Sequence, residues 1–340
     1  LQRRLRQRQW PAPACFDRAQ LSQRFLQQLP FQLTEGQQSV LQEISHDLQQ
    51  PTPMLRLVQG DVGSGKTVVA ALAACPVLAS DYQVAIMAPT EILAEQHRQR
   101  FQSWFEPRGI SVGWLAGKVT GKARQTQLDS ISSGTCRLIT GTHALFQDSV
   151  QFARLGLVII DEQHRFGVEQ RLALTRRGLA SGFAPHQLIM TATPIPRTLA
   201  MSAYGDLDTS LIQGLPPGRQ PIQTVVLPAS RRDDLIARIA HHVGSGQQVY
   251  WVCTLIEDNE QIQAQAAEVA AELLRESLPH LAIGLIHGQL KAAEKATIMA
   301  AFAAGQIAVL VATTVIEVGV DVPNASLMVI ENPERLGLSQ

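Results

Sequence analysis

The sequence has no net charge, few cysteines and no long apolar run, and each absence argues against a class of protein. Lys and Arg total 29 and Asp and Glu total 29, so no overall field draws the chain to nucleic acid, and binding a polyanion would depend on local groups. The four cysteines (Cys15, Cys75, Cys136, Cys253) form no Cys-x-x-Cys pair, which argues against a zinc site and a disulfide framework. No apolar stretch approaches the roughly 18 residues that cross a bilayer. We therefore expect a soluble, cytoplasmic protein without a membrane partner, and nothing in the sequence requires more than a monomer.

What the sequence does contain is a repeated alternation of apolar strands and helices. With 340 residues, 45% of them apolar, the chain is long enough for about two domains whose cores need no metal or disulfide. Continuous apolar strands that alternate with helices are typical of a parallel sheet covered on both faces, so the predicted fold class is α/β. The predicted strands are 54–59, 83–89, 136–142, 155–161 and 186–193, followed by 248–253, 282–288, 307–314 and 325–332.

Pro and Gly residues divide the chain into parts. The stretch GLPPGRQPIQ (214–223) interrupts the alternation and is predicted to be a linker. It separates a first domain (31–213) from a second, C-terminally incomplete domain (224–340). Residues 1–30, basic at first and then broken by PAPAC, are interpreted as a connecting segment with a helical remnant. Because the chain starts with Leu and stops without a terminal signal, we expect it to be a piece of a longer protein.

The stretch GDVGSGKT follows a predicted strand and opens a predicted helix, and it fits the phosphate-loop pattern G-x-x-x-x-G-K-[ST]. Its glycines allow the backbone to turn N–H groups toward phosphate oxygens, and the helix start adds its positive dipole end. Lys66 is expected to reach the β- and γ-phosphates, and the Thr67 hydroxyl to bind Mg²⁺. The predicted nucleotide-binding residues of this loop are Gly60, Gly63, Ser64, Gly65, Lys66 and Thr67.

A second apolar strand, in LVIIDEQHRFG, ends in two acids, an amide and an imidazole. Asp161 and Glu162 therefore lie at the carboxyl end of a strand, where ligands bind in open α/β sheets. An Asp at this place can hold Mg²⁺, and a neighbouring Glu can orient or deprotonate the attacking water. Gln163 and His164 are not needed for Mg²⁺, and their position suggests that they sense the γ-phosphate and relay its state to the second domain. Together with Lys66, these residues predict nucleotide hydrolysis.

Two other classes of protein share part of this pattern. A small P-loop kinase or GTPase would explain Lys66 and Asp161, but it leaves the stretch TATPIPRT and the second sheet without a role. A module that binds nucleotide or DNA without motor activity would use the same residues. Comparing GTP with ATP as substrate separates the first class from an ATP-driven motor, and measuring turnover separates the second.

The order of seven short motifs resembles that of superfamily 2 helicases. FQLTEGQ, GDVGSGKT, APTEILAEQH, TGTHAL, DEQH, TATPIPRT and ATTVIEVGVD occur in the family's order across residues 31–340. GWLAGK, IIDEQHRFGV and IENPERLGL make the chain similar to the branch-migration helicases of that superfamily. The transcription-repair coupling translocases share these stretches and are the alternative, although DEQH in place of D-E-E-H favours the first branch. The resemblance implies two RecA-like domains, ATP and Mg²⁺ as cofactors, and helicase action on stalled forks and Holliday junctions in recombination and repair.

The resemblance also implies roles for residues that the local pattern leaves unassigned. Phe31 and Gln37 match positions that contact adenine, which makes ATP the nucleotide, and Thr191 and Thr193 match positions that couple hydrolysis to DNA. Branched or duplex DNA is the implied partner, with single-strand-binding protein as a further candidate. The second-domain positions that meet ATP and the DNA strand together are Glu317, Gly319 and Asp321.

Four predicted strand ends carry groups that suit the binding of DNA phosphates. Hydroxyls and backbone N–H groups can hold phosphates without reading bases, which suits a motor that steps along any sequence. Turn chemistry explains any one of these sites, but the four occupy matched places in the two sheets. Lys118, Lys122 and Arg124 could add positive charge, although a solvated face is the simpler explanation of each. The candidate DNA contacts are Pro89 and Thr90, Thr142 and His143, His287 and Gly288, and Thr313 and Thr314.

Two parts of the family's pattern do not occur in this sequence. One is a glutamine- and arginine-rich motif whose arginines complete the ATP site from the second domain, and the other is a wedge module that splits the fork. An arginine finger contributes on the order of 10³–10⁵ in rate. We therefore expect residues 1–340 alone to bind nucleotide and DNA but to hydrolyse ATP slowly.

Overall fold

The computed structural model describes residues 10–117, 121–161, 182–192, 207–214, 222–254, 260–313, 322 and 324–335. The chain divides into two compact units, residues 1–220 and residues 221–340, and the division falls inside the segment 214–223. Each unit contains one sheet of parallel strands with helices around it. The α/β class and the two RecA-like sheets expected from the sequence are confirmed.

The first unit is built on a seven-stranded sheet. Its strands are β1 (Leu55–Gln59), β2 (Gln83–Met87), β3 (Val112–Leu115), β4 (Leu138–Gly141), β5 (Leu155–Asp161), β6 (His186–Thr191) and β7 (Asp208–Leu211). Their order is β3-β4-β2-β5-β6-β1-β7, and every neighbouring pair is parallel. The loops that follow β1 and β5 therefore leave the same edge of the sheet, with only β6 between them.

The second unit has a smaller sheet of the same kind. Its strands are β8 (Gln248–Cys253), β9 (Ile283–Ile286), β10 (Val309–Thr313) and β11 (Ala325–Glu331). They are parallel in the order β11-β8-β10-β9. Trp251, near the middle of β8, is fully buried and belongs to the same apolar cluster as Ile239 and Leu274. This unit therefore has a core of its own.

Eight α-helices lie in the described parts of the chain. Among them, none is long and apolar enough to cross a membrane. They are α1 (Leu21–Leu26), α2 (Glu35–Leu48), α3 (Lys66–Ala79), α4 (Glu91–Phe105), α5 (Gly121–Ser132), α6 (Arg232–Gly244), α7 (Glu260–Ser277) and α8 (Ala292–Ala303).

The central helix α3 and strand β5 show why the first unit is well packed. All six residues of β5 before Asp161 are buried, because apolar clusters cover both faces of the sheet. In α3 every residue from Val68 to Leu78 is buried. A helix that is apolar all round belongs in a core. The first residue of α3, Lys66, therefore starts from one of the most firmly packed elements of the unit.

Two strands of the first sheet, β3 and β7, do not appear among the strands expected from the sequence. Both lie at an edge of the sheet and have four residues. β7 reads Asp-Thr-Ser-Leu, and only Ser210 in it is buried. Its place is defined by backbone pairing with β1, in which Arg56 lies opposite Asp208. β7 is thus stabilised by its backbone rather than by apolar burial and leaves no hydrophobic pattern to read, whereas β3 buries Val112 and Leu115 and was missed as a short strand that contains Gly113.

Residues 10–29, part of the segment interpreted as a connector, pack against the first unit. Phe25 of α1 is 1% exposed and meets the ring of Trp104 edge-on at 5.4 Å between centroids. The backbone N–H of Cys15 donates to the carbonyl oxygen of Leu48 at 2.8 Å. This segment therefore contributes apolar surface and backbone hydrogen bonds to the first domain.

His186 joins the same segment to the sheet and is fully buried. Its Nδ1 accepts from the Met54 N–H at 3.0 Å, and its Nε2 donates to the carbonyl oxygen of Pro13 at 2.8 Å. Burial lowers the pKa of His186 because the charged ring loses its hydration, and the Pro13 carbonyl and Asp47 offset only part of that effect. The ring is therefore held neutral in the folded protein.

We expect this histidine to make the first unit less stable in weak acid. Since its pKa is lower in the folded than in the unfolded state, its contribution is present above the unfolded value of about 6.5 and is lost as the pH falls below it. One such proton changes the free energy of unfolding by at most about 1.4 kcal/mol per pH unit. Urea unfolding at pH 7.5, 6.5 and 5.5 should show a steeper loss in the wild type than in His186→Asn. Equal slopes for the two proteins would contradict this assignment.

Candidate nucleotide site and adjoining strand ends

The loop that follows β1 turns directly into α3 and encloses a lysine. Gly63 and Gly65 both have φ angles of 82°, in the left-handed region that favours glycine. The Lys66 Nζ donates to the carbonyl oxygens of Gly60 at 2.8 Å and Asp61 at 3.1 Å. The ammonium group therefore lies within the curve of the loop, close to the N–H groups at the start of α3. A positive charge beside the N-terminus of a helix suits the binding of phosphate.

Gln37 connects the start of α2 to this loop. Its Oε1 accepts from the Thr34 N–H at 3.0 Å, and its Nε2 donates to the Ser64 carbonyl oxygen at 2.8 Å. The φ angle of Gly65 favours glycine, and a Cβ there would lie 2.3 Å from that Nε2, so a larger residue would also displace the Gln37 amide. The adenine contact that the resemblance implies for Gln37 stays a prediction. Phe31, its companion in that prediction, is 50% exposed and offers an accessible ring.

Asp161, the last residue of β5, is held by His97, which is not among the candidate residues predicted from the sequence. The Asp161 Oδ2 lies 2.7 Å from the His97 Nε2, and the two side chains are 15% and 9% exposed. The sequence does carry a signal for His97. The buried residues of α4 are Ala94, His97, Phe101 and Phe105, so a polar ring interrupts an apolar stripe at helical spacing.

The end of β6 is bonded to the first residue of the phosphate loop. The Gly60 N–H donates to the Thr191 carbonyl oxygen at 3.3 Å, and Thr191 is 2% exposed. Next to this junction, the Nε2 of Gln59 is buried without a hydrogen-bond partner. The stretch that the resemblance links to coupling therefore begins in direct contact with the loop. An open cleft here is lined by Gln59, Gly60, Asp61, Ala192, Leu211, Ile212, Gln213 and Gly214.

The residues present suit a nucleotide that brings Mg²⁺ with its phosphates. Among the described residues, no group of three or more His, Cys, Asp and Glu side chains could hold a metal ion without further ligands. Mg²⁺ is usually bound through one or two protein ligands together with substrate phosphates. Thr67, partly exposed in the first turn of α3, and Asp161 at the end of β5 supply that number of donors. These two donors and the glycine-lined loop fit a Mg²⁺–nucleotide complex.

In the first unit, the candidate DNA positions differ in exposure. Pro89 and Thr90 are partly exposed, and the Thr90 Oγ1 accepts from the Leu93 N–H at 3.4 Å, which caps α4. His143 is exposed. The Thr142 Oγ1, in contrast, is buried without a hydrogen-bond partner. Of the four, Pro89, Thr90 and His143 are accessible to DNA as the unit stands.

The second unit shows the same mixture. The His287 side chain is 9% exposed, with its Nε2 3.8 Å from the Glu268 Oε1 and its Nδ1 without a partner. The Gly288 carbonyl oxygen accepts from the Lys295 Nζ at 3.0 Å. The Thr313 Oγ1 is buried and unpartnered. Buried hydroxyls on Thr142 and Thr313 recur at matched strand ends, and their DNA contacts stay predictions.

The remaining predicted site residues are a group of basic side chains and a set that lies outside the described part of the chain. Of the basic group, Lys122 is exposed and Arg124 donates to the Gln147 Oε1 at 2.7 Å. The predicted residues that lie outside the described part of the chain are Lys118, Glu162, Gln163, His164, Thr193, Thr314, Glu317, Gly319 and Asp321.

Comparison with protein families matches both units. Residues 34–202 match the family of DEAD/DEAH box helicases, and residues 231–339 match the helicase conserved C-terminal domain. The ATP-dependent DNA helicase RecG of Pasteurella multocida (strain Pm70) is 64% identical over 321 residues, which are 94% of this chain and 46% of that protein. RecG of Escherichia coli (strain K12) is 62% identical over the same shares of the two chains. The chain thus spans about half the length of the curated relatives it matches.

Comparison with solved structures gives the same family. A structure of RecG bound to a three-way DNA junction has a TM-score of 0.82 and 40% identity, covering 99% of this chain and 44% of that one. A DUF1998 helicase, MrfA, bound to DNA has a TM-score of 0.67 and 18% identity over 94% of this chain and 48% of that one, and it shows the fold alone. The branch-migration resemblance found in the motifs is confirmed.

Proposed function

The chain belongs to the RecG family of helicases, and on that premise we propose that its two units are the ATP-driven motor of a protein that remodels branched DNA. Identities of 62–64% to RecG proteins and the similarity to RecG bound to a three-way junction support the proposal. Stalled forks and Holliday junctions, in recombination and repair, are the proposed substrates. Because this chain matches only about half of each relative, the activity is proposed for the whole protein.

One observation carries the proposal: the phosphate loop and Asp161 leave the same edge of one sheet. Only β6 separates β1 from β5, so the two strand ends lie about 10 Å apart at the usual spacing of about 4.8 Å between strands. A triphosphate held at the loop can extend over the end of β6 toward Asp161. This arrangement supports hydrolysis better than binding alone, because it adds a carboxylate at the far end of the phosphate chain.

In the proposed reaction, the residues of the first unit divide the work. Lys66 and the N–H groups of the loop hold the β- and γ-phosphates, and Thr67 and Asp161 hold Mg²⁺. Bound Mg²⁺ would neutralise the charge that develops on the phosphate oxygens. Glu162 orients or deprotonates the attacking water. Phe31 provides a surface on which adenine can stack.

Coupling to DNA is proposed to pass through strand ends next to the loop. The Thr191 carbonyl oxygen accepts a hydrogen bond from the Gly60 N–H, so a movement of the loop would displace the start of the TAT stretch. Gln163, His164 and Thr193 would relay the state of the γ-phosphate. A difference in affinity between nucleotide states is sufficient to drive the cycle. The proposed second-unit contributors are Glu317, Gly319, Asp321, His287, Gly288, Thr313 and Thr314, and the proposed first-unit DNA contacts are Pro89, Thr90, Thr142 and His143.

Turnover of ATP with three kinds of DNA tests this function. We expect the whole protein to hydrolyse ATP several times faster with a three-way junction than with a linear duplex of equal length, and slowest without DNA. Asp161→Asn, which keeps the shape of the side chain but removes its charge, is the control for contaminating ATPases. Absence of DNA stimulation, or equal use of GTP, would overturn the proposal and favour a nucleotide-binding module or a GTPase.

Four finer points belong to the same proposal. Residues 1–340 alone are expected to hydrolyse ATP slowly in that assay. A monomer, a cytoplasmic location and contact with single-strand-binding protein are also proposed. The four cysteines are all buried.

A further inference from the structure

His97 is a buried polar residue that packing alone does not explain. It is 7% exposed and shares the inner stripe of α4 with Ala94, Phe101 and Phe105. An apolar side chain would match the neighbours of this position, whereas a buried imidazole is unfavourable unless it is hydrogen-bonded. Its hydrogen bond goes to Asp161. The residue type at 97 is therefore explained by that carboxylate rather than by the core.

The contact has the geometry of a strong hydrogen bond. The Nε2–Oδ2 distance is 2.7 Å, and both side chains are mostly shielded from water. An ionised carboxylate can only accept, so the hydrogen lies on the His97 Nε2. A carboxylate anchored through one oxygen cannot rotate freely. This contact therefore restricts the orientation of the Asp161 carboxylate.

The helix that carries His97 begins at a candidate DNA contact. Thr90 caps α4, and His97 lies seven residues further on, about 10 Å along the axis at 1.5 Å per residue. Phe101 and Phe105 of the same helix are buried and stack at 5.7 Å between ring centroids, so α4 is anchored in the core beyond His97. A single packed helix therefore connects Thr90 to the group that holds Asp161.

From these contacts, and resting on the proposed function, we infer that His97 positions the Asp161 carboxylate for Mg²⁺ and ties it to the helix that starts at the DNA contact Thr90. His97 touches neither nucleotide nor metal in this role. Partners of this kind orient metal ligands, and their loss typically lowers metal affinity or activity roughly 10–100-fold.

The test uses the whole protein and a fluorescent, non-hydrolysable ATP analogue whose binding is titrated with Mg²⁺. We expect His97→Leu to raise the Mg²⁺ concentration for half-maximal binding about tenfold, while affinity for the analogue in EDTA stays within twofold of wild type. His97→Gln, which restores an N–H donor at similar reach, should recover most of the Mg²⁺ response. Gln96→Leu puts the same new side chain on the exposed face of α4 and should change nothing.

A second readout tests the link to DNA. The ratio of ATP turnover with and without junction DNA should fall at least threefold in His97→Leu and return in His97→Gln. Thermal unfolding is followed for every variant. A His97→Leu protein that melts lower but keeps the wild-type Mg²⁺ midpoint and DNA ratio would show that the histidine is structural, and would overturn the inference.

The experiment also separates this inference from the function on which it rests. A wild-type protein whose analogue binding ignores Mg²⁺, or whose turnover ignores DNA, would refute both. A wild type that responds to Mg²⁺ and DNA, beside a His97→Leu protein that responds equally, would refute the role of His97 alone.

Discussion

Replacing Lys66 with alanine should reduce ATP turnover by at least about a hundredfold. The Lys66 ammonium lies inside the phosphate loop, held by the carbonyl oxygens of Gly60 and Asp61. A triphosphate that enters the loop meets this positive charge where charge builds up in the transition state. Removing one such preorganised group typically costs 10²–10³ in rate. Steady-state hydrolysis with saturating junction DNA measures the effect.

Two companion measurements make the Lys66 result interpretable. Lys66→Arg keeps the charge but carries a larger planar group into a confined loop, so it should also fall well below wild type. Melting temperatures of both variants should stay close to wild type. The loop lies beyond the carboxyl end of β1, and α3 is held by its buried residues from Val68 to Leu78. If Lys66→Ala hydrolysed ATP near the wild-type rate, the loop would have no role in hydrolysis.

Replacing Arg56 with alanine should lower the free energy of unfolding of the first unit by about 3 kcal/mol. The Arg56 side chain is 10% exposed, and its Nη1 donates to the Glu43 Oε2 at 2.5 Å and the Ser210 Oγ at 2.6 Å. Its Nε donates to the Asp47 Oδ2 at 2.8 Å. The guanidinium thereby fastens α2 to β1 and β7. Its loss leaves a largely buried Asp47 without its cation.

The Arg56 prediction has a matched control within the same cluster. The Glu43 side chain is 45% exposed, so Glu43→Gln should cost less than about 1 kcal/mol, as is usual for ion pairs that water can reach. Urea unfolding followed by circular dichroism measures both variants. Equal losses for Arg56→Ala and Glu43→Gln, or a loss below 1 kcal/mol for Arg56→Ala, would contradict the assignment.

Strands β2 and β5 could be predicted from the sequence because they bury apolar side chains. β2 and β5 each read as an unbroken apolar run because helices cover both sides of the sheet, and both were found where the run lies. β7 was not found, because it is an edge strand whose Asp-Thr-Ser-Leu sequence contributes little to the core. It is held by backbone pairing with β1 and by the hydrogen bond between Arg56 and Ser210, two residues that are 154 positions apart. A local sequence pattern cannot predict such a pairing.

The candidate site likewise contains residues that could be predicted from the sequence and contacts that could not. Lys66 and Asp161 could be identified because their chemistry depends on a local sequence context, a glycine-rich turn before a helix and an apolar strand end. His97 could not be paired with Asp161, since 64 residues separate them and only the packing of α4 brings them together. Gln37 was assigned to adenine by resemblance, whereas its bond to Ser64 follows from tertiary structure. Residue types can be predicted from sequence, but their partners require the fold.

The strand order of the first sheet also bears on how the protein is made. β1 pairs on one side with β6 and on the other with β7, in a register that sets Arg56 opposite Asp208. At roughly 5–20 residues per second, a ribosome adds the missing neighbours on the order of ten seconds or more after β1 has been synthesised. Until then the strand that leads into the phosphate loop has two unpaired edges. The first sheet can therefore close around β1 only after most of the first domain has been synthesised.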